Sequence, residues 1–450
     1  MRIVVVGTGT LGLYVARKFS EERHDVVLVG EDEDALRRAQ DAMDVGAVLG
    51  KGSTPSVLLD AGLRAADVLV AVTGSDETNI VACLIAETAS EGIIRVARLH
   101  DPAYLGSSGI IDKSSLSIDL VISPEEEVAE AALALARVPG ATDVLDFAGG
   151  RVRAVGVTLD QDSPMIGKPI RALLRGDDGE KLIVAGVYRK EMVSAPSDDI
   201  RLMAGDTLFL VADRDSVRPA LSRIGKRWVR TRNVIVTGGG WEGVSIARRL
   251  AAEGIHTKIV ERDPQVCERI SNELDTTLVL HGHGMDERLL VDEGVARAEM
   301  TIAALGDETA NVFAALLAKR LGVRRAAALV DTPEYMPFAS SIGVDVVLSP
   351  LLAALNPITQ VARQGQVLSI RTLRENLVEG IEFVAAEGSG IVGLPLALLH
   401  LPHGSMVGAI VRGQEVVVPR GSTVIEPGDR VVLFTRPALV PRLQRLLAPA

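Results

Sequence analysis

The feature that most constrains this chain is a glycine-rich turn that occurs twice, about half a chain apart. Each copy lies between an apolar strand pattern and a helical one. Residues 3–12 read IVVVGTGTLG and residues 234–243 read VIVTGGGWEG, giving Gly7, Gly9 and Gly12 in one copy and Gly238, Gly240 and Gly243 in the other. In such a strand–turn–helix the first glycine makes the tight turn and the second lets backbone approach a phosphate. The third lets the helix pack on the strand with its N–H groups facing the anion. One G-x-G-x-x-G is a weak signal. Two in the same context point to a tandem duplication and away from a single-site dehydrogenase.

The duplication runs well beyond the glycines. The stretch LLDAGLRAADVLVAVTGSDETN (58–79) parallels LLVDEGVARAEMTIAALGDETAN (289–311). RVARLHDPAYL (95–105) parallels RAAALVDTPEYM (325–336), and DLVISP (119–124) parallels DVVLSP (345–350). Strands alternating with helices at this spacing read as β-α-β units with right-handed crossovers. After each such stretch the texture changes to short β-branched runs and Gly/Pro turns. VRAVGVTL, LIVAGVYR and GDTLFLVAD in the first half match IEFVAAE, MVGAIVRG and GDRVVLFTR in the second. The Gly-Asp pairs, Gly205-Asp206 and Gly428-Asp429, read as turn chemistry and not as sites. The expected fold is therefore α/β: two tandem Rossmann-like, doubly wound parallel-sheet domains, each followed by a small α+β domain. The expected boundaries are 1–140, 141–225, 226–362 and 363–450, with the basic run KRWVRTR (226–232) as a connector between the halves.

Composition narrows the function classes. Apolar residues make up 47% of the 450, but aromatics only 3%, so Val, Ile, Leu and Ala fill the cores, as parallel sheets covered by helices require. No apolar run approaches the roughly 18–20 residues that span a bilayer. Strand residues begin at Ile3, which leaves no room for a cleavable leader and predicts a cytoplasmic protein. A net charge of −11, from 48 basic and 59 acidic residues, argues against nucleic acid as a partner. Cys83 and Cys267 lie far apart without C-x-x-C spacing and read as reduced core thiols.

The nucleotide-site candidates follow from the turns. They are Gly7, Thr8, Gly9, Thr10, Leu11 and Gly12 in the first copy, and Gly238, Gly239, Gly240, Trp241, Glu242 and Gly243 in the second. An acidic residue about 20 positions on should accept hydrogen bonds from ribose hydroxyls: Glu31 or Asp32 in the first copy, Glu261, followed by Arg262, in the second. That acidic group disfavours a 2′-phosphate and favours NAD(H) or an adenine nucleotide. Trp241 either shields or obstructs the second phosphate site. Lys51 and Ser53 border the adenine-ribose end. Thr73, Asp76, Glu77 and Asn79 either line the crevice or cap the next helix, and Gly74, with Leu305 and Gly306 in the second copy, completes the candidate set there. Arg98 is a candidate phosphate contact whose counterpart in the parallel run is Ala328. His281/His283 and His400/His403 fall short of a metal site, and no nucleophile signature is present, so neither catalytic residues nor a metal is expected.

With the loop TGSDETN, the paired SP ends and the two small modules in hand, the chain resembles the TrkA family, regulatory subunits built from two tandem RCK (regulator of potassium conductance) units. More specific than the glycine loops are VLDFAGGRVRAVGV (144–157), ELDTTLVLHG (273–282), ALLAKRLG (315–322) and VGAIVRG…TVIEPGDRVVLF (407–434). The resemblance covers nearly the whole chain. It implies a non-enzymatic gating protein that binds NAD(H), ATP or ADP and assembles as a homo-oligomer, expected to be a tetramer. The ring would sit beneath a membrane-embedded Trk-type (TrkH- or TrkG-like) potassium channel subunit at the inner face of the plasma membrane, and EVAEAALALARV (127–138) would be the helix joining neighbouring domains. The chain departs from the family pattern at Gly30, where Asp usually follows the second strand, so ribose recognition must shift to Glu31 or Asp32. It departs also at Gly74, Leu305-Gly306 and His283. Two other classes compete: an RCK-type regulator of a different ion transporter or antiporter, and an NAD-dependent dehydrogenase. The small modules are too alike, and too poor in His, Lys and Cys clusters, to serve the dehydrogenase as a substrate domain.

Overall fold

The computed structural model describes residues 1–101, 104, 117–174, 181–189, 192–194, 196–362, 367–373 and 377–447. Pro102, Ala103 and Leu105 of the paired runs, and the expected boundary at 362–363, fall at or outside the edges of these residues.

Near the N-terminus, β1 (Arg2–Val6), β2 (Asp25–Gly30), β3 (Gly46–Leu49), β4 (Val68–Ala71), β5 (Ile94–Arg98) and β6 (Leu120–Ile122) form a parallel sheet ordered β3-β2-β1-β4-β5-β6. In the second half β12 (Asn233–Thr237), β13 (His256–Glu261), β14 (Leu278–His281), β15 (Met300–Ala303), β16 (Ala326–Leu329) and β17 (Val346–Leu348) repeat that order. The order reverses between β1 and β4, and between β12 and β15, which opens a crevice at the strands' carboxyl ends. The strands run as near-continuous Val/Ile/Leu because helices cover both faces. Ile3, Val5, Val68, Val70 and Val96 face one helix layer, and Val4, Val6, Leu69 and Ala71 face the other.

Each parallel sheet is followed by a five-stranded sheet. The first has order β10-β9-β11-β8-β7, from β7 (Asp143–Phe147), β8 (Val152–Thr158), β9 (Leu182–Arg189), β10 (Met192–Ser194) and β11 (Thr207–Asp213). The second has order β18-β19-β22-β20-β21, from β18 (Val367–Leu373), β19 (Val378–Val384), β20 (Met406–Arg412), β21 (Glu415–Val417) and β22 (Arg430–Thr435). The two orders match strand for strand. The Gly-Asp turns are structural in both: Asp206 takes Arg189 in two bonds of 2.6 Å, and Asp429 takes Arg412 at 2.9 and 2.8 Å. Phe147, Phe209, Phe434 and Val411 meet in one core, so the two small sheets pack on each other.

The chain forms two compact units, residues 1–127 with 351–364 and residues 128–350 with 365–450. The division follows from where two helices pack. From the helix Pro350–Ala362, which follows the second sheet, Leu351, Ala354, Leu355 and Ile358 enter the core of the first sheet beside Val5 and Val15. From the helix Pro124–Arg137, which follows the first, Val128, Ala129, Ala132 and Leu133 enter a core with Val234, Val236 and Val244. Arg325 fastens this second helix by donating to the carbonyl of Leu135 at 2.8 Å. The helix Pro124–Arg137, which takes in residues 127–137 of the expected joining run, thus packs on the second parallel sheet.

Cys83 and Cys267 are buried free thiols. Burial pushes the Cys83 thiol up to about 12, so almost no thiolate forms near neutral pH. Two outcomes follow. A thiol reagent at pH 7.5 should leave Cys83 unmodified in the folded protein and label it in urea, as read by peptide mass spectrometry. Leu133→Ala should cost about 2–5 kcal/mol of stability in urea denaturation, because Leu133 is fully buried against a sheet from the other half of the sequence.

Candidate nucleotide sites

The three glycines of each turn have separable reasons to be glycine. Gly7 has φ +123°, and a Cβ there would lie 2.9 Å from the carbonyl oxygen of Val72. A Cβ on Gly12 would lie 2.0 Å from the carbonyl oxygen of Gly7. In the second copy a Cβ on Gly238 would meet the Ala304 carbonyl at 1.9 Å, and one on Gly243 the Gly238 carbonyl at 2.0 Å. These outer glycines are demanded by the fold itself, which brings strand, turn and helix into backbone contact.

The middle glycines are different. Gly9 has ordinary extended backbone (φ −73°, ψ 176°) and a Cβ there would touch nothing within 4 Å. Gly240 matches it at φ −69°, ψ −178°, and a Cβ would meet only Glu242 Oε2, at 3.6 Å. Each is the N-cap of the following helix, Thr10–Glu21 or Trp241–Ala252, and neither helix start has a side-chain cap. Gly9, Thr10, Gly240 and Trp241 are exposed, and the first-turn N–H groups of a helix have no intrahelical acceptor, which is what an anion-binding helix start requires.

The other candidates divide. Lys51 is exposed in the loop after β3, where Gly52 lies so close to β1 that a Cβ would come within 2.1 Å of Val6 Cγ1. Ser53 is half-buried beside it. Asn79, fully buried, clasps the ends of β4 and β5: its Oδ1 accepts from Thr73 N at 2.9 Å and its Nδ2 donates to the Arg98 carbonyl at 2.9 Å. Asn311 does the same between Leu305 N (2.6 Å) and the Leu329 carbonyl (2.9 Å). Ser75 caps the next helix, while Asp76 accepts from the backbone of His100 and Asp101 and from the His100 ring. Burial opposes ionisation of Asp76, but the hydrogen bonds from Asp101 and His100 outweigh it and hold its carboxyl below the ordinary value. Asp76 and Asn79 are therefore committed to the walls of the crevice.

Arg98 ends β5 and donates through Nη2 to Glu125 at 3.0 Å, while its buried Nε has no hydrogen-bond partner among the described residues. The parallel run makes Ala328 its counterpart, and the strand register corrects this. Ala97 and Ala328 are paired equivalently to β4 and β15, which places Leu329 opposite Arg98. The second copy lacks a cation there under either alignment. Gly74 and Gly306 complete the turns after β4 and β15, Gly306 with φ +79°. The Trp241 ring is half-exposed and has the Arg269 guanidinium 5.7 Å from its centroid. Among the histidines, His281 bonds the Arg262 carbonyl and His283 accepts from Met285 N.

The acidic candidates after the second strand differ between copies. Glu261 lies at the end of β13 and accepts from Gly239 N at 2.6 Å and from Asp263 N at 2.8 Å, a carboxylate held against the glycine turn. In the first copy Asp32 caps the helix Glu33–Ala42 through Ala35 N, and Glu31 is exposed. Sequence reasoning did not pair Thr8 with Gly30. A Cβ on Gly30 would lie 2.4 Å from Thr8 Cγ2, so Thr8 fills the space above the strand end. Setting GTG against GGG, and VG against VE, would have shown that the two positions trade their side chains.

Comparisons with known proteins bear on these turns. The TrkA-N domain matches residues 3–124 and 234–350, and the TrkA-C domain matches residues 154–225 and 381–448. The chain is 33% identical over 440 residues to the Trk system potassium uptake protein TrkA of Halomonas elongata, covering 96% of this chain and 95% of the relative. It is 34% identical over 438 residues to that of Vibrio alginolyticus, with the same coverage. Among solved structures, the GsuK channel bound to NAD superposes with a TM-score of 0.62 over 99% of this chain and 78% of that one, at 17% identity, a likeness of fold.

Gly9→Ala should leave the melting temperature within about a degree of wild type, because its methyl group enters open space. Gly12→Ala should cost several kcal/mol, because its methyl group meets backbone. Equal effects in thermal unfolding would remove the distinction between the middle and outer glycines.

Proposed function

Because the chain belongs to the TrkA family, we propose that it is a regulatory subunit of a Trk-type potassium uptake system, controlled by NAD(H) and/or ATP and ADP without chemical turnover of them. The observation that carries the nucleotide reading is the open space at Gly9 and Gly240. A Cβ would meet no backbone there, and an approaching phosphate needs that space. The partner is a membrane-embedded, TrkH- or TrkG-like channel subunit. No helix of the described residues is long and apolar enough to cross a membrane, in keeping with a subunit that acts at the cytoplasmic face through that partner. Self-association is supported by the large side chains left on the second parallel-sheet domain, where Phe313, Tyr335 and Phe338 are 60%, 57% and 62% exposed, and the proposed number, a homo-tetramer, comes from the family resemblance.

A bound nucleotide gates only if it binds one assembly shape more tightly than the other. ATP carries a γ-phosphate beyond the glycine turn, where it can compete with Glu125 for Arg98, and ADP lacks that group. The two nucleotides then bias the assembly differently.

Calorimetry should detect NADH, ATP or ADP, with each recovered unchanged after long incubation. Gly9→Asp, which places a carboxylate where the phosphate sits without disturbing the fold, should abolish binding at the first site. Efficient hydride transfer to a small carbonyl compound would overturn the regulatory reading. Potassium uptake should fall in cells lacking the chain and return with wild type but not with Gly9→Asp. Arg98→Ala should shrink the difference between ATP and ADP in channel activity by about 1–3 kcal/mol, the usual size of an allosteric coupling.

A further inference from the structure

The two turns differ at one juxtaposition. Strand pairing makes Val29 equivalent to Val260, each accepting the N–H of the first glycine, Gly7 or Gly238, at 2.8 Å. The next residue, Gly30 or Glu261, therefore occupies the same place, under Thr8 in one copy and Gly239 in the other. Only one of the two facing positions carries a side chain in each copy. A Cβ on Gly30 would stand 2.4 Å from Thr8 Cγ2, and a Cβ on Gly239 would stand 3.0 Å from Glu261 Cγ. Gly30 needs no glycine for its backbone, since its φ lies outside the left-handed region, so its lack of a side chain is the partner of Thr8's presence.

The exchange is chemically unequal. At the second turn the missing side chain is on the loop and a carboxylate stands at the strand end, where the ribose diol of a nucleotide would meet it. At the first turn the strand end is bare, and a threonine covers it. No carboxylate stands at the matching position: Asp32 lies two residues further on and caps the next helix through Ala35 N, as its counterpart Asp263 does through Gln265 N. Glu31 has Arg262 as its counterpart, one residue beyond the position that faces the turn.

We infer that the two sites select nucleotides by different ends: the second reads the ribose diol through Glu261, whereas the first, with Thr8 over Gly30, selects by phosphate and is indifferent to the ribose 2′-hydroxyl. The inference rests on the nucleotide reading above. It makes Thr8/Gly30 and Gly239/Glu261 paired specificity determinants, neither position of which can be exchanged alone without a clash or a void.

The test uses the full-length protein with one site blocked, Gly240→Asp to isolate the first and Gly9→Asp to isolate the second, titrated calorimetrically with ADP and 2′-deoxy-ADP. At the first site the two ligands should bind within about threefold of each other. At the second, loss of the hydroxyl should weaken binding about tenfold or more, the range for a hydrogen bond to a charged group. Thr8→Gly with Gly30→Asp, in the Gly240→Asp background, should install that preference at the first site. A tenfold preference already present at the unaltered first site, or a first site that binds no nucleotide while the second does, overturns the inference. So does a Thr8→Gly/Gly30→Asp variant that folds and binds ADP but gains no preference. Failure of the wild-type protein to bind ADP at either site instead overturns the nucleotide reading itself.

Discussion

Backbone-on-backbone contact at the glycine turns is the constraint on which the rest of the structure depends. A helix can start immediately after β1 only if its first turn rests on the carbonyl of Gly7, and the space there admits no Cβ at Gly12. The same closeness points the helix's first N–H groups out of the sheet at the place where the strand order reverses. Fold and candidate binding surface are thus produced by one event. The fold alone accounts for the outer glycines, whereas at the middle ones a Cβ would meet no backbone, which leaves room for a ligand to approach. That separation converts a weak sequence signal into a physical argument.

Duplication gives each half a helix to spare, and the structure uses it across the halves. The helices Pro124–Arg137 and Pro350–Ala362 each complete the core of the sheet that the other half of the sequence builds. Neither parallel-sheet domain therefore has a full core without residues from the other half. On the proposed reading, a nucleotide that shifts the helix start after β1 acts on an element already packed in that shared core.

Much of this was legible in the sequence because its signals are local. Alternating strands and helices, the repeated glycines and the Gly-Asp turns each follow from residues a few positions apart, and all appear where expected. What was not legible depends on register. The identity of Arg95 and Arg325 aligns Arg98 with Ala328, but Arg95 lies within β5, bonded to Asp119 at 2.9 Å, while Arg325 precedes β16 and turns to the Leu135 carbonyl. Shared letters there conceal a shift of one residue, which only strand pairing reveals. The trade between Thr8/Gly30 and Gly239/Glu261 was hidden for a similar reason, since the partners are 22 residues apart and meet only when the sheet forms. Asp76 and Asn79 show the converse case. Their polarity beside a crevice suits a ligand equally well, but in the structure Asn79 bonds Thr73 and the end of β5, and Asp76 ties the next helix to His100 and Asp101.

The central claim is that the chain carries two nucleotide sites, each formed by the open middle glycine and the helix start after it. Amide hydrogen exchange with and without saturating ADP tests it most directly, because it reads the N–H groups themselves. Protection is predicted at Gly9–Gly12 and Gly240–Gly243. Exchange unchanged at both turns while ADP is bound, with protection confined to the small antiparallel-sheet domains, would contradict it.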